Sequence, residues 1–492
     1  MLFIILPFLI LGGCKSNGTH QNQVELSPIM RKALSDRNSV FYADFASFPK
    51  DKKMLPIGVF DSGTGGLTVL EVMLKIDRIN NITGAHGADG LPDFIGEDFA
   101  YLGDLANMPY GNYAAENKSE FFKELVVKDA LFLLDDKYYK LPIDKTPEGV
   151  KQPCKILVIA CNTATAWGLN DVSTLLEESG TRVKVIGVIN AGVNALFDYL
   201  SNAGIADSLA IGILATKGTI SSDAYRRTIM EEQEKNGYAG KFLVVNHACA
   251  GFAESVDMEP DFVNVEITAP RPSYRGPRIG TTDDDINTDI LDVYNFSFAD
   301  NAILYRKRGN AYDEIQLNSA ANYARFHLVN LIEKHRKSGS KAKLQSIILG
   351  CTHYPFLLDT LNAALLDLRN YKRDGNYVYR DLIAENMEFI DPAVFTAMEC
   401  YNALRSENEL ALRSTDGRVD AYISVPSYGL TPDKLDGNGN LSYNYKYGRE
   451  YGTEEITTLF VPFAERYVGK ENCDRLQKLV PLSYHEITKI KE

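Results

Sequence analysis

ILVIACNTATA (156–166) and IILGCTHYPF (347–356) decide the fold of this chain. Each is an apolar run, one small residue, a cysteine, and then polar residues that open a turn. Runs that are apolar throughout, without alternation, suit parallel strands buried on both faces. Each stretch therefore predicts a strand that delivers a thiol at its carboxyl end. A cysteine at the start of a following helix lies where a lowered pKa, and hence a reactive thiolate, can be produced.

The same pattern recurs outward from these two stretches. Ile57-Gly58-Val59-Phe60 runs into Asp61-Ser62-Gly63-Thr64-Gly65-Gly66, after which Leu67, Leu70, Met73 and Leu74 fall at helical spacing. Glycines there let the backbone approach a ligand, and a helix start favours an anion such as a carboxylate. Further buried-strand runs are Val183 to Val188, Ile211 to Leu214 and Phe242 to Val245. Strands alternating with turns and helical stretches predict an α/β, doubly wound fold built on parallel sheet. Ligands in such sheets sit beyond the carboxyl ends of the strands. That places Asp61, Cys161, Thr216 and Cys351 on the functional edge.

Composition bounds what the chain can do. Its 492 residues suit two domains with additions, and 45% hydrophobic with 24% charged residues is ordinary for a globular protein. The formal net charge of −13 argues against broad binding to nucleic acid, which needs clustered Lys and Arg. None of the seven cysteines forms a CxxC pair, so zinc-ribbon and thioredoxin readings have no support. Cys154, Cys249, Cys400 and Cys473 are read as packing or inert residues.

Two thiols in matching settings call for chemistry with a symmetrical need. Disulfide exchange usually uses close cysteines. Stereoinversion at carbon needs a proton removed from one face and returned on the other, so two acid/base groups must flank the substrate. The carbanion formed between these steps must be met by fixed donors. Asn162 and Thr163 beside the first thiol, and Thr352 and His353 beside the second, fit that requirement. A cysteine-protease dyad of Cys351 and His353 is a poor fit, because no oxyanion-hole motif accompanies it.

The chain resembles the bacterial glutamate racemases of the aspartate/glutamate racemase superfamily. The resemblance is carried by IGVFDSGTGGLTVL (57–70), YLGDLANMPYG (101–111), VIACNTATA (158–166), VIGVINAG (185–192), ILATKGTISSDAY (213–225), NHACAGFAESVD (246–257), LGCTHYPFLL (349–358) and IDPA (390–393), with a weaker match at FAERYVG (463–469). It implies Cys161 and Cys351 as the two bases, assisted by Asp61 and His353. It implies that Ser62, Tyr110, Gly111, Asn162, Thr163, Thr219 and Thr352 hold the amino acid's charged groups, with Pro109 and Thr216 lining the same pocket. Asp104 stands at an acidic position some members have, and Asp257 where many carry Glu. The family uses no pyridoxal phosphate and no metal, supplies D-glutamate for peptidoglycan, and commonly forms homodimers. Aspartate racemase is the alternative within the class. A non-catalytic envelope protein on a racemase scaffold is the alternative outside it.

The resemblance also implies two pseudo-symmetric lobes with the active site between them. Lobe one is expected over residues 56–190 plus 385–470, lobe two over 191–384, and a C-terminal tail over 471–492. Segments 80–98, 258–310 and 427–453 look inserted; the second is read as a surface excursion and the third as a hairpin or long loop. At the other end, LFIILPFLIL (2–11) has the length of a signal-peptide apolar region, and Leu11-Gly12-Gly13-Cys14 resembles a bacterial lipoprotein box. No Lys or Arg precedes the run. The expectation is a signal peptide over 1–14 lipidated at Cys14, a polar tether over 15–55, and a membrane-anchored lipoprotein, with a cytoplasmic protein as the alternative.

Overall fold

Alternate residues of the central strands enter different cores, which is why those strands are mostly apolar. The computed structural model describes residues 26–205, 208–411, 413 and 417–489. Cys14 and the expected signal peptide lie outside them. Ten strands form two sheets: β1 (Ile57–Asp61), β2 (Phe99–Gly103), β3 (Ile156–Ile159), β4 (Lys184–Gly187), β5 (Leu209–Ala215), β6 (Phe242–Ala248), β7 (Leu344–Gly350), β8 (Ile383–Ile390), β9 (Val419–Pro426) and β10 (Thr458–Pro462). Sheet one has the order β10-β9-β2-β1-β3-β4, and sheet two the order β8-β7-β5-β6.

All neighbours in these sheets are parallel except β9 and β10, which pair antiparallel with Ile423 opposite Val461. The expected purely parallel sheet is thus corrected at one edge. In sheet one, Phe60, Leu102, Leu157 and Ile159 face one core while Ile57, Val59, Tyr101 and Val158 face the other. In sheet two, Leu214, Ile347 and Leu349 oppose Ile211, Ile213 and Ile348 in the same way.

The helices cover both faces: α1 (Pro28–Ser35), α2 (Leu67–Lys75), α3 (Ser119–Leu134), α4 (Asn162–Ser179), α5 (Val188–Asn202), α6 (Ala320–Lys337), α7 (Pro392–Ser406), α8 (Lys470–Leu479) and α9 (Pro481–Thr488). α5 leads from the first sheet to the second, and its Leu196 and Leu200 join the core of sheet two. α7 leads back, and its Ala393, Ala397 and Cys400 join a core of sheet one.

Several boundaries differ from those expected from sequence. β8 runs past residue 384 to Ile390, so sheet two takes more of the chain. Residues 26–55 are not a free tether: Ile29, Met30 and Ala33 of α1 are buried against the aromatic face of α3. The expected tail folds into α8 and α9, which bury Leu476, Val480 and Ile487 in lobe one. Residues 258–310 are more than a surface excursion, because Phe262, Tyr274, Ile286, Tyr294 and Phe296 pack into the core of sheet two. Residues 427–453 form the long loop expected as one alternative, closed by an antiparallel Leu435–Leu441 bridge and followed by a short helix Tyr443–Gly448.

Candidate active site

The carboxyl ends of β1, β3, β5 and β7 open onto one cleft of about 630 Å³ between the two sheets. Asp61 ends β1, and its Oδ2 accepts from the Gly66 amide at 2.7 Å, which closes the glycine turn. Cys161 caps the N-terminus of α4, and its Sγ accepts from the Ala164 amide at 3.5 Å. Thr216 caps the helix Lys217–Ser221 after β5. Cys351 follows β7 directly. Asp61, Ser62, Pro109, Tyr110, Gly111, Cys161, Asn162, Thr163, Thr216, Cys351, Thr352 and His353 all line this one cleft. Thr219 does not line it, but sits behind Thr163 and Thr216, whose hydroxyls lie 3.1 and 3.0 Å from its own.

The two motifs meet closely. A Cβ placed on Gly65 would lie 2.5 Å from His353 Cε1 and 2.6 Å from Thr352 Oγ1. A Cβ on Gly218 would lie 2.8 Å from Gly111 Cα. Both glycines therefore mark points where the lobes approach backbone to side chain or backbone to backbone.

The two thiols differ in setting. Burial pushes the Cys161 thiol well above its ordinary pKa, and the nearby Asp61 carboxylate adds to this, against the Ala164 amide and the Ser62 hydroxyl. Cys351 Sγ instead lies 3.5 Å from His353 Nδ1, and His353 Nε2 lies 3.0 Å from Asp257 Oδ2. Burial opposes charge on His353, but Asp257 and Cys351 outweigh it and hold the imidazole well above its usual pKa. The resting site thus pairs a protonated thiol at Cys161 with an imidazolium beside Cys351. Asp257 is held below the usual carboxylate range despite burial, because His353 and Arg475 face it. Arg475 Nη2 donates to Asp257 Oδ1 at 2.6 Å.

Tyr110 and Asn162 line the cleft with their side-chain oxygens already engaged. The Tyr110 hydroxyl lies 2.6 Å from Asp104 Oδ2 and 2.7 Å from Asp129 Oδ2. One hydroxyl proton cannot serve two carboxylates, so one carboxyl must itself be protonated. Burial raises Asp129 well above the carboxylate range, and Asp104 reinforces it. Asn162 Oδ1 accepts from the Tyr225 hydroxyl at 2.6 Å.

Sequence reading missed Arg475, Asp129 and Tyr225. Asp129 carried a signal, as an acid inside the apolar helix SEFFKELVVKDALFLL (119–134), and Tyr225 closes the motif ILATKGTISSDAY (213–225). The inserted segments also reach the cleft: Glu259, Phe262 and Arg275 line it from 258–310, and Asn440, Tyr443 and Lys446 from 427–453. Burial lowers Lys446 to about 8.

His247, Cys249 and His327 are the one group of three possible metal ligands among the described residues. His247 Nε2 and His327 Nδ1 are 2.9 Å apart, and the ring centroids 5.2 Å. That separation is the contact plus two ring radii, so the nitrogens point straight at each other, as in an N–H···N hydrogen bond. Their lone pairs do not converge on a shared point where an ion could sit.

Two α/β lobes bring one thiol each to a shared cleft, with a histidine beside one of them. No family model matches the chain. It is 33% identical over 372 residues to the glutamate racemase of Geobacter metallireducens, covering 75% of this chain and 88% of that one. It is 32% identical over 216 residues to the glutamate racemase of Staphylococcus epidermidis, covering 43% of this chain and 61% of that relative's length. A solved glutamate racemase from Bacillus anthracis aligns with 75% of this chain and 88% of its own, at 23% identity and a TM-score of 0.42. The chain belongs to the glutamate racemase family.

Proposed function

We propose that this protein interconverts L- and D-glutamate without a cofactor, using Cys161 and Cys351 as the two acid/base groups. The observation that carries the reading is that both thiols line one cleft, each from the carboxyl end of a strand in a different sheet. One thiolate takes the α-proton, and the opposite thiol returns a proton to the other face. Burial and Asp61 favour the protonated thiol at Cys161. After one turnover the protonation states are exchanged, and a substrate of opposite hand or exchange with solvent restores them. Ser62, Thr163, Thr216 and Thr352 supply hydroxyls, and the helix start at Asn162 supplies amides, for the substrate's carboxylate and ammonium groups. The product serves peptidoglycan synthesis.

The test is the rate of racemisation on glutamate and, beside it, aspartate, for the unaltered protein and for Cys161→Ala and Cys351→Ala. Each variant is expected to lose racemisation, and glutamate is expected to be the faster substrate. Full activity in either variant would refute the two-thiol mechanism.

A membrane anchor at Cys14 is a second part of the proposal, supported by the apolar run and Leu11-Gly12-Gly13-Cys14. No helix among the described residues is long and apolar enough to cross a membrane. Several acyl chains on a lipoprotein cysteine would hold the catalytic body stably. Mass spectrometry of the mature N-terminus decides it: a diacylglyceryl cysteine supports the anchor, and an unmodified Met1 overturns it.

A further inference from the structure

Arg475 lies outside every motif in the sequence, yet it connects the two lobes beside the site. It is carried by α8, whose Leu476 is buried in a core of sheet one and whose Cys473 packs against β9 and β10. Its guanidinium reaches across to the other lobe. Nη1 donates to the Val256 carbonyl at 2.7 Å and Nη2 to Asp257 Oδ1 at 2.6 Å. Val256 belongs to the core of sheet two. The ion pair is largely shielded from water, with 16% exposure of the Arg475 side chain and 13% of the Asp257 side chain. Asp257 spends its other oxygen on His353, and His353 spends its other nitrogen on Cys351. Four residues therefore run in one line, from the outer helix of lobe one to the thiol of lobe two. Arg475 does not line the cleft, whereas Tyr467, Val468 and Asn472 near it do.

We infer that Arg475 is a positioning residue for the racemase reaction: it holds the Asp257 carboxylate in place across the lobe boundary, and through it the orientation and charge of His353 beside Cys351. A two-point hold by a planar guanidinium, on a backbone carbonyl and a carboxylate, fixes direction as well as distance. The inference rests on the proposed racemase activity.

The charged and titratable groups facing Asp257 are His353 and Arg475 of opposite charge, Glu254 and Glu259 of like charge, and the phenol of Tyr101. Cys351 and Glu254 face His353 in turn. Burial is the largest influence on Asp257 and pushes its pKa up; His353 and Arg475 pull it down. Without Arg475, burial and the two glutamates are opposed by His353 alone. Asp257 then takes up a proton at higher pH, and His353 loses its counter-charge there.

The test compares wild type, Arg475→Met and Arg475→Lys in kcat, KM and the pH profile of kcat/KM. Removing an opposite charge at this range moves a carboxylate pKa by about 1–3 units, so the acid limb in Arg475→Met is expected to move up by that amount. Its kcat is expected to fall by up to about 10²-fold, as for a misplaced catalytic group, with KM little changed because Arg475 does not touch the cleft. Arg475→Lys keeps the charge and is expected to restore the position of the acid limb and part of kcat. A loss spread evenly across pH in Arg475→Met, or a profile that overlays wild type, would overturn the inference. So would an Arg475→Lys profile no different from Arg475→Met. A wild-type protein that leaves glutamate untouched would instead overturn the racemase reading, so the two failures are told apart.

Discussion

Replacing Gly65 by alanine is the smallest change that should disable the site while leaving the fold in place. The added Cβ would lie 2.5 Å from His353 Cε1, against at least 3.4 Å for an ordinary contact, so about 0.9 Å must be found. Thr352 Oγ1, at 2.6 Å, blocks retreat toward the neighbouring residue. The imidazole cannot simply swing away. One nitrogen is held at 3.5 Å by Cys351 and the other at 3.0 Å by Asp257, and both contacts break if the ring turns. A displacement near 1 Å at a catalytic group costs about 10²-fold in rate. Overpacking of this kind costs about 1–3 kcal/mol of stability, which a domain of this size can absorb. The assay is racemisation followed by polarimetry or circular dichroism, with a thermal melt on the same sample. Gly448→Ala is the control, since nothing lies within 4 Å of a Cβ there. The expected result is a folded Gly65→Ala protein with kcat down about 10²-fold and a control with unchanged rate. A Gly65→Ala protein with wild-type kcat would show that the His353 position does not matter to the chemistry as argued.

Two further predictions concern buried charge. Because Asp129 keeps its proton in the folded state while an unfolded Asp ionises near about 3.9, the folded form binds more protons above that pH and stability falls as pH rises. Asp129→Asn removes this titration, so denaturant unfolding should show the variant gaining on wild type as pH rises above about 3.9, and a constant gap would contradict it. Lys155 is fully buried, with Nζ 2.6 Å from Glu97 Oε2 and bonded to the carbonyls of Lys53 at 2.8 Å and Glu409 at 2.7 Å. Lys155→Met leaves a buried carboxylate unpaired and should cost about 3–5 kcal/mol in chemical denaturation, while adding Glu97→Leu should recover part of it.

The parts of the fold that were legible in the sequence are those where both faces of a strand are buried. β3, β5, the Ile57–Phe60 part of β1 and the Ile347–Leu349 part of β7 are apolar runs because alternate side chains enter different cores. β8, with exposed Glu385 and Asn386, lies at the edge of its sheet and shows no such run, so the lobe boundary fell too early. β10 is the edge strand of sheet one, and its burial alternates along Thr458–Pro462. In the site, the two thiols, Asp61 and His353 were visible because each follows a strand within a short motif. Arg475 was not visible, because its partner is 218 residues away and nothing local to α8 distinguishes it from a surface arginine. Asp257 was noted only as a position, and the ion pair that gives it a role appears once α8 is folded against lobe one. The inserted segments showed no chemistry in sequence, and the part they take in lining the cleft appears only once 258–310 and 427–453 are packed.

The central claim is that two thiols act from opposite faces, and the most direct measurement is deuterium incorporation during racemisation of L-glutamate in D₂O with no pyridoxal phosphate or metal added. At early conversion, mass spectrometry should find the D-glutamate product carrying one α-deuterium while the recovered L-glutamate remains largely unlabelled, because the base that removes the proton is not the acid that delivers the new one. Equal labelling of recovered substrate and product would indicate a single base and contradict the account, as would the absence of any exchange.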